Sequence, residues 1–165
     1  MLIEHFFGGS ALCEVDGKGR VALPRFVRDI VERRSGDSAI VIGAHGRDTC
    51  LTGYDRSFRK AVFTDAERRR IAGETAGADD SAHHQRARRA FGLTEETEFD
   101  RKGRIVLPAI MRRMGRIEGL ALFVGTGGDF EIWNPELAAQ SGDEALAELA
   151  RYRLADIDQN TKKED

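Results

Sequence analysis

Lys18 and Arg20 stand on either side of Gly19 in the run Val15-Asp16-Gly17-Lys18-Gly19-Arg20-Val21-Ala22-Leu23-Pro24. Lys102 and Arg104 stand the same way around Gly103, in Phe99-Asp100-Arg101-Lys102-Gly103-Arg104-Ile105-Val106-Leu107-Pro108. The second run follows the first by 84 residues at every position, and six of the ten positions are identical. Cations at this spacing on a turn have two uses. They can pair phosphates, and an arginine can also read a guanine edge in the major groove. Alternatively, Asp16 and Asp100 bridge to the arginine four residues on and pin the turn, an exposed pair that contributes about 0–1 kcal/mol. Further cations follow each turn: Arg28 after the first, Arg112 and Arg113 after the second, with Arg101 inside the second turn itself. These residue types leave both uses open.

Other chemistries fit the sequence less well. Gly17-Lys18 is not a phosphate-binding loop, because that motif needs glycine where Leu12 stands and Ser or Thr where Gly19 stands. Gly125-Thr126-Gly127-Gly128 is no dinucleotide fingerprint, since Phe130 takes the place of the last glycine. His83 and His84 are adjacent, so on a helix they point about 100° apart and make a poor metal pair. Cys13 and Cys50 form no CxxC and read as small buried hydrophobes in a reducing compartment. No nucleophile-base set or carboxylate pair can be argued. The expectation is a protein that is not an enzyme and that carries no metal or cofactor.

Composition bounds the rest. The 165 residues, 41% apolar and 33% charged, suit one domain or two small halves sharing a core. The net charge is −2, but residues 134–165 carry eight acidic and four basic side chains, so the part before them is net positive. Arg68-Arg69-Arg70 reads as a solvated helix face. No stretch approaches the roughly 20 apolar residues of a membrane span, and Glu4 with no basic run speaks against a secretory signal. The expected setting is the cytoplasm, with no membrane partner.

The elements that position the cations can be read in order. Ser10 to Val15 suits a short strand, and the more polar Thr94 to Phe99 an edge strand. Each glycine turn leads into an apolar strand, Val21-Ala22-Leu23 or Ile105-Val106-Leu107. Pro24 and Pro108 end those strands and suit the first position of a helix. Phe26, Val27, Ile30 and Val31 share one face of the first helix, and Ile110, Met111 and Met114 recur on the second. Gly36, and Gly115 or Gly119, are the expected helix stops. Strands at Ala39–Gly43 and Leu120–Gly125 follow, then Cys50–Tyr54 and Phe130–Trp133, with Tyr54 matching Trp133. Thr52-Gly53 suggests that the first of these last strands is weak or bulged. Asp55 and Asn134 are N-cap candidates. Each unit therefore reads β-turn-β-α-β-β-α, opened by Phe7-Gly8 in one copy and Phe91-Gly92 in the other. Helical segments at 57–70 and 82–90 join the units across a break at 73–80. A last helix is expected over 144–154, with a frayed polar tail over 156–165.

The pattern Asp-x-Lys-Gly-Arg, two or three apolar residues, Pro and an amphipathic helix resembles the AbrB/SpoVT-type swapped-hairpin DNA-binding element. Two such elements in one chain, each preceded by Phe-Gly and closed by Tyr54 or Trp133, resemble the MraZ family of bacterial transcriptional regulators. The resemblance runs from about Phe6 to about Leu137. It implies an α+β fold, a double-split swapped-hairpin β-barrel made of two tandem units. On this reading residues 1–80 form the first unit with its linker helix, 81–140 the second, and 141–165 a C-terminal helix and polar tail. It implies ring-shaped homo-oligomers that bind promoter direct repeats in double-stranded DNA, at the division and cell-wall gene cluster and at their own gene, as repressors associated with the nucleoid. By position, the DNA-contacting turn residues are Lys18, Arg20, Lys102 and Arg104, and the helix arginines are Arg28, Arg112 and Arg113. The alternative is an oligomeric interaction ring or adaptor that does not touch DNA.

Overall fold

A computed structural model describes residues 5–163. Glu4, and Glu164 and Asp165 at the end of the polar tail, lie outside the described residues. The first unit holds β1 (Ser10–Glu14), β2 (Arg20–Ala22), α1 (Arg25–Ser35), β3 (Ala39–Ala44) and β4 (Leu51–Asp55). A 3-10 turn over Arg56–Phe58 leads to the linker helices α2 (Arg59–Thr75) and α3 (Asp80–Ala87), and a π-helical turn over Arg88–Gly92 ends the linker. The second unit repeats the order: β5 (Thr94–Glu98), β6 (Arg104–Val106), α4 (Ala109–Gly115), β7 (Leu120–Gly125) and β8 (Phe130–Trp133). Helices α5 (Pro135–Ala139) and α6 (Glu144–Thr161) follow.

Six strands form one antiparallel sheet in the order β1-β7-β8-β4-β3-β5, and β2 pairs with β6 in a separate ribbon. The order is symmetric about the central β8–β4 pair, where Leu51 faces Ile132 and Gly53 faces Phe130. Each outer strand lies on the other unit: Ser10 of β1 pairs with Val124 of β7, and Ala39 of β3 pairs with Glu98 of β5. The α+β class is as expected. A closed barrel is not seen: β1 and β5 are opposite edges of an open sheet. The reason is local. Each turn closes on itself, with the Asp16 N–H donating to the Arg20 carbonyl at 3.0 Å and Asp100 to Arg104 at 3.0 Å. The chain leaves the sheet at that point, and β2 finds its backbone partner in β6.

The apolar pattern accounts for the core. Val27, Ile30 and Val31 of α1 are buried, as is Met111 of α4. They pack with Val21, Leu23, Ile105 and Leu107 from the ribbon and with Ile40, Ile42, Phe123 and Ile132 from the sheet. A second cluster, Cys50, Leu122, Trp133, Ala138 and Ala150, lies where α5 and α6 meet the sheet. Phe7 is buried edge-on to Phe130, with ring centroids 5.2 Å apart, whereas its repeat partner Phe91 is 44% exposed. Acidic Glu95, Glu96 and Glu98 on β5 make it the charged edge that the polarity predicts. Helices α2 and α3 contribute no buried residue. A cleft of about 870 Å³, with Ala44, Tyr54, Phe58 and Val62 among its walls, lies where they face the sheet.

Three expectations are corrected. Thr52-Gly53 is neither weak nor bulged: β4 pairs in unbroken register on both sides. Glycine is there because the Phe130 ring occupies the place of a side chain. Gly115 does not stop its helix but is its last residue, where a Cβ would meet Leu51 Cγ at 2.9 Å. The left-handed cap is Arg116, φ 53°, whose carbonyl accepts from Asn134 Nδ2 at 2.8 Å. Finally, helix α6 continues through the expected frayed tail to Thr161. It has an Asp143 N-cap bonded to the Leu146 N–H, Ala147 and Ala150 are buried, and no Gly or Pro interrupts it.

Candidate nucleic-acid interface

The two basic turns have the same internal geometry. Asp16 Oδ1 accepts from the Lys18 and Arg20 backbone N–H groups, both at 2.9 Å, and Gly19 donates to the Asp16 carbonyl. Asp100 Oδ1 accepts from Lys102 at 2.9 Å and Arg104 at 3.0 Å, and Gly103 donates to the Asp100 carbonyl. Gly19 at φ +83° and Gly103 at φ +76° occupy the left-handed region that favours glycine. Both are buried, because the ribbon interlocks above them: Leu107 donates to the Gly19 carbonyl and Leu23 to the Gly103 carbonyl, each at 2.8 Å.

The carboxylates also hold the arginine side chains. Arg20 Nε lies 2.6 Å from Asp16 Oδ2, and Arg104 Nε lies 3.2 Å from Asp100 Oδ2. The backbone N–H of Arg20, then its side chain, lower the Asp16 pKa to about 2. Asp100 is lowered as well, first by the Arg104 backbone N–H. Pinning the turn and presenting a cation are therefore compatible. Each carboxylate takes Nε, while the terminal nitrogens of Arg20 and Arg104 have no protein partner among the described residues. The two side chains are 54% and 50% exposed.

The ribbon fixes which way they point. Arg20 pairs with Val106, Val21 with Ile105, and Ala22 with Arg104. Side chains alternate along a strand, so Val21 and Ile105 enter the core at 2% exposure each. Arg20, Ala22, Arg104 and Val106 share the outer face. Lys18, Arg101, Lys102 and Arg113 are exposed as well.

Arg28 and Arg112 sit differently. Both are half-buried, and each crosses to the other unit. The Arg112 guanidinium lies against Gly19, where a Cβ would come within 2.7 Å of Nε, and Nε donates to the Leu107 carbonyl at 3.2 Å. Arg28 lies against Gly103 in the same way, with Nε buried and without a hydrogen-bond partner. The structure thus sets Lys18, Arg20, Arg101, Lys102 and Arg104 on the two turns that the ribbon joins and Arg28 and Arg112 behind them, whereas Arg113 is exposed in the last turn of α4.

Two features were not visible from residue types. Asp55 is fully buried, not merely a cap on Ser57. Its Oδ1 lies 3.0 Å from Arg34 Nε, off the N–H axis, and Oδ2 accepts from Ser35 Oγ at 2.7 Å and from the Ser57 hydroxyl. The Arg34 guanidinium is 5.1 Å from both the Phe7 and Phe58 ring centroids and donates to the Gly128 carbonyl. The second feature is a cluster of His45, Cys50 and Glu131, whose donor atoms lie within 4.8 Å of one another. The five-residue interval from His45 to Cys50 was its only signal. His45 Nδ1 accepts from the Arg47 and Asp48 backbone N–H groups at 3.2 and 2.9 Å. The neutral ring then carries its proton on Nε2, 3.1 Å from Glu131, so the lone pair a metal needs is already engaged. Glu131 also accepts from Trp133 Nε1 at 3.0 Å. Burial raises the Cys50 pKa, which keeps it a thiol, and pushes Cys13 up to about 11. The cluster is a hydrogen-bonded clasp between the two units.

Part of the chain matches a known family, and most of it aligns with named proteins. Residues 90–153 match the family described as "MraZ protein, putative antitoxin-like". A protein of Cytophaga hutchinsonii named "Transcriptional regulator MraZ" is 28% identical over 164 residues, 96% of this chain and 99% of that one. Proteins of the same name from Shewanella piezotolerans and a Roseiflexus species are each 29% identical. They align over 92% and 87% of this chain and over 98% and 92% of their own lengths.

Proposed function

We propose that the chain is a member of the MraZ family, to which its matches point, and that it is a DNA-binding transcriptional regulator that reads sequence through its two basic turns. The observation that carries the reading is the outer face of the β2–β6 ribbon. Arg20 and Arg104 are held there through Nε by their aspartates, and both side chains are about half exposed. A two-stranded ribbon fits the major groove, and an oriented guanidinium donates two hydrogen bonds to guanine O6 and N7. Lys18, Arg101, Lys102 and Arg113 flank the face and suit phosphates, which set register without reading sequence. Arg28 and Arg112, behind the turns, hold the two reading heads in one geometry. The exchange of β1 and β5 between units supports the swapped-hairpin reading of each unit.

On this proposal the protein acts as a repressor on promoter repeats of the division and cell-wall gene cluster, its own promoter included, and associates with the nucleoid. It works as a ring of identical subunits. One subunit presents two guanine-reading arginines, and several on spaced repeats bind far more tightly through effective concentration. Local charge reconciles DNA binding with a net charge of −2: the acidic side chains Glu136, Glu144, Glu148, Asp156 and Asp158 fall on α5 and α6, which pack against β7 and β1.

A gel shift on the DNA immediately upstream of the protein's own gene tests this. Wild type should bind, with log K falling by about 0.9 per phosphate contacted for each unit rise in log salt. Arg20→Ala and Arg104→Ala should each weaken binding, since the ribbon presents the two equivalently. Binding absent in wild type, or indifferent to salt, would remove the proposal. Nuclease-resistant recovery of a partner protein in its place would favour the interaction ring. An undiminished shift from Arg104→Ala alone would confine contact to the first turn.

A further inference from the structure

The outer face of the ribbon is not purely basic. On one diagonal are Arg20 and Arg104, and on the other are Ala22 and Val106. Val106 is 50% exposed, among the more exposed large apolar side chains of the chain. It lies directly across the strand pair from Arg20, in the middle of the face that would enter the groove. Its neighbours Ile105 and Leu107 are 2% and 0% exposed, so the core has not simply run short of apolar positions. A β-branched aliphatic side chain beside an oriented arginine suits a thymine 5-methyl group next to a guanine, since that methyl is the one apolar feature of the major-groove code.

The two units are unlike at this point. At positions 84 residues apart, Ala22 answers to Val106, Gly17 to Arg101 and Asp29 to Arg113, while the lysine, glycine and arginine of the turn are unchanged. The near two-fold face is therefore chemically polar. Its second half has a larger apolar side chain and one more cation, since Arg25 of the first half answers to Ala109. We propose that Val106 is a specificity-determining residue that contacts a thymine methyl adjacent to the guanine read by Arg20, and that its replacement by alanine in the first unit gives each subunit a direction along the duplex. Ala22 reaches less far, so the equivalent base beside the Arg104 guanine is read weakly. The inference rests on the DNA-binding reading and adds to it a base identity and an orientation.

Spacing is consistent with the contact. Residues two apart on a strand are separated by about 6.6–6.8 Å, close to two base-pair steps of 3.4 Å. Arg20 and Val106 face each other across a strand spacing of about 4.8 Å, close enough for the two side chains to reach neighbouring bases.

The test uses the full-length protein. The preferred duplex is first selected from randomised DNA, and each thymine in it is then replaced by deoxyuridine, which removes only the methyl. For wild type, one replacement should weaken binding about fourfold, the factor for one apolar carbon withdrawn from burial. For Val106→Ala that replacement should have no effect, whereas Val106→Thr, which keeps one methyl, should retain part of it. Both substitutions are at an exposed position, and circular-dichroism melts confirm folding. The inference is overturned if wild type ignores every thymine methyl. It is equally overturned if Val106→Ala keeps the wild-type profile, including the case where that variant changes only the oligomeric state, which would place Val106 against a second copy. Failure of wild type to select any DNA would instead overturn the DNA-binding reading itself.

Discussion

Replacing Asp55 by alanine should destabilise the protein more than any change in the basic turns, although Asp55 is remote from them. Asp55 is fully buried and Arg34 is 5% exposed. Removing the carboxylate leaves the guanidinium with the Gly128 carbonyl and the faces of Phe7 and Phe58 as its remaining support. An orphaned buried charge costs about 3–5 kcal/mol, and two cation–π contacts return about 1–2 kcal/mol between them. The same substitution deprives Ser35, Ser57 and the Ser57 N–H of their acceptor, at about 1 kcal/mol for each bond. These terms give a loss of about 4–7 kcal/mol, a large share of the 5–15 kcal/mol that stabilises an ordinary domain. Urea unfolding at one fixed protein concentration measures it as a lower midpoint at unchanged slope. Asp55→Ala combined with Arg34→Met should recover part of the loss, because no charge is then left unpaired. The reasoning is refuted if the single variant lies within 1 kcal/mol of wild type, or if the double variant is no more stable than the single one.

Gly103→Ala forces a side chain into a φ of +76°, costing about 1–2 kcal/mol, and into the place of the Arg28 guanidinium. It should lower both the thermal midpoint and DNA affinity, whereas Gly17→Ala, with open space around it, should lower neither appreciably. Asp16 should titrate with a midpoint near 2 in a carboxyl-carbon NMR titration. Because the folded pKa is below the unfolded one, the contribution of the turn is complete above about pH 4 and is lost as pH falls towards 2. A midpoint near 4 would show that Asp16 does not accept the bonds described.

The sequence carried the two units and their order, because each local signal agreed with the next. The glycine turn, Pro24 or Pro108 and the apolar helix face all point to one arrangement. The strand exchange was not legible. An 84-residue repeat shows that two units are alike but not whose strand completes which sheet, since β1 has equivalent apolar strands to choose from in β3 and β7. Residue type also misplaced some glycines. Gly53 and Gly115 read as a bulge and a helix stop, yet both are there for want of space, beside Phe130 and Leu51. Arg28 and Arg112 were visible as cations, but their crossing behind the opposite turn depends on tertiary structure alone. Asp55 looked like an ordinary helix cap because its burial comes from Arg34, Phe7 and Phe58, which meet only in the folded chain.

The exchanged strands also set a timetable for synthesis. Ser10 pairs with Val124, 114 positions downstream, and a ribosome adding about 5–20 residues per second takes on the order of 10 s to supply that partner. During this interval β3 can pair with β4, but β1 has no ladder and Phe7 no Phe130 to pack against. The first unit therefore leaves the exit tunnel as an unfinished half, and it is completed only when the second unit arrives to fold around it.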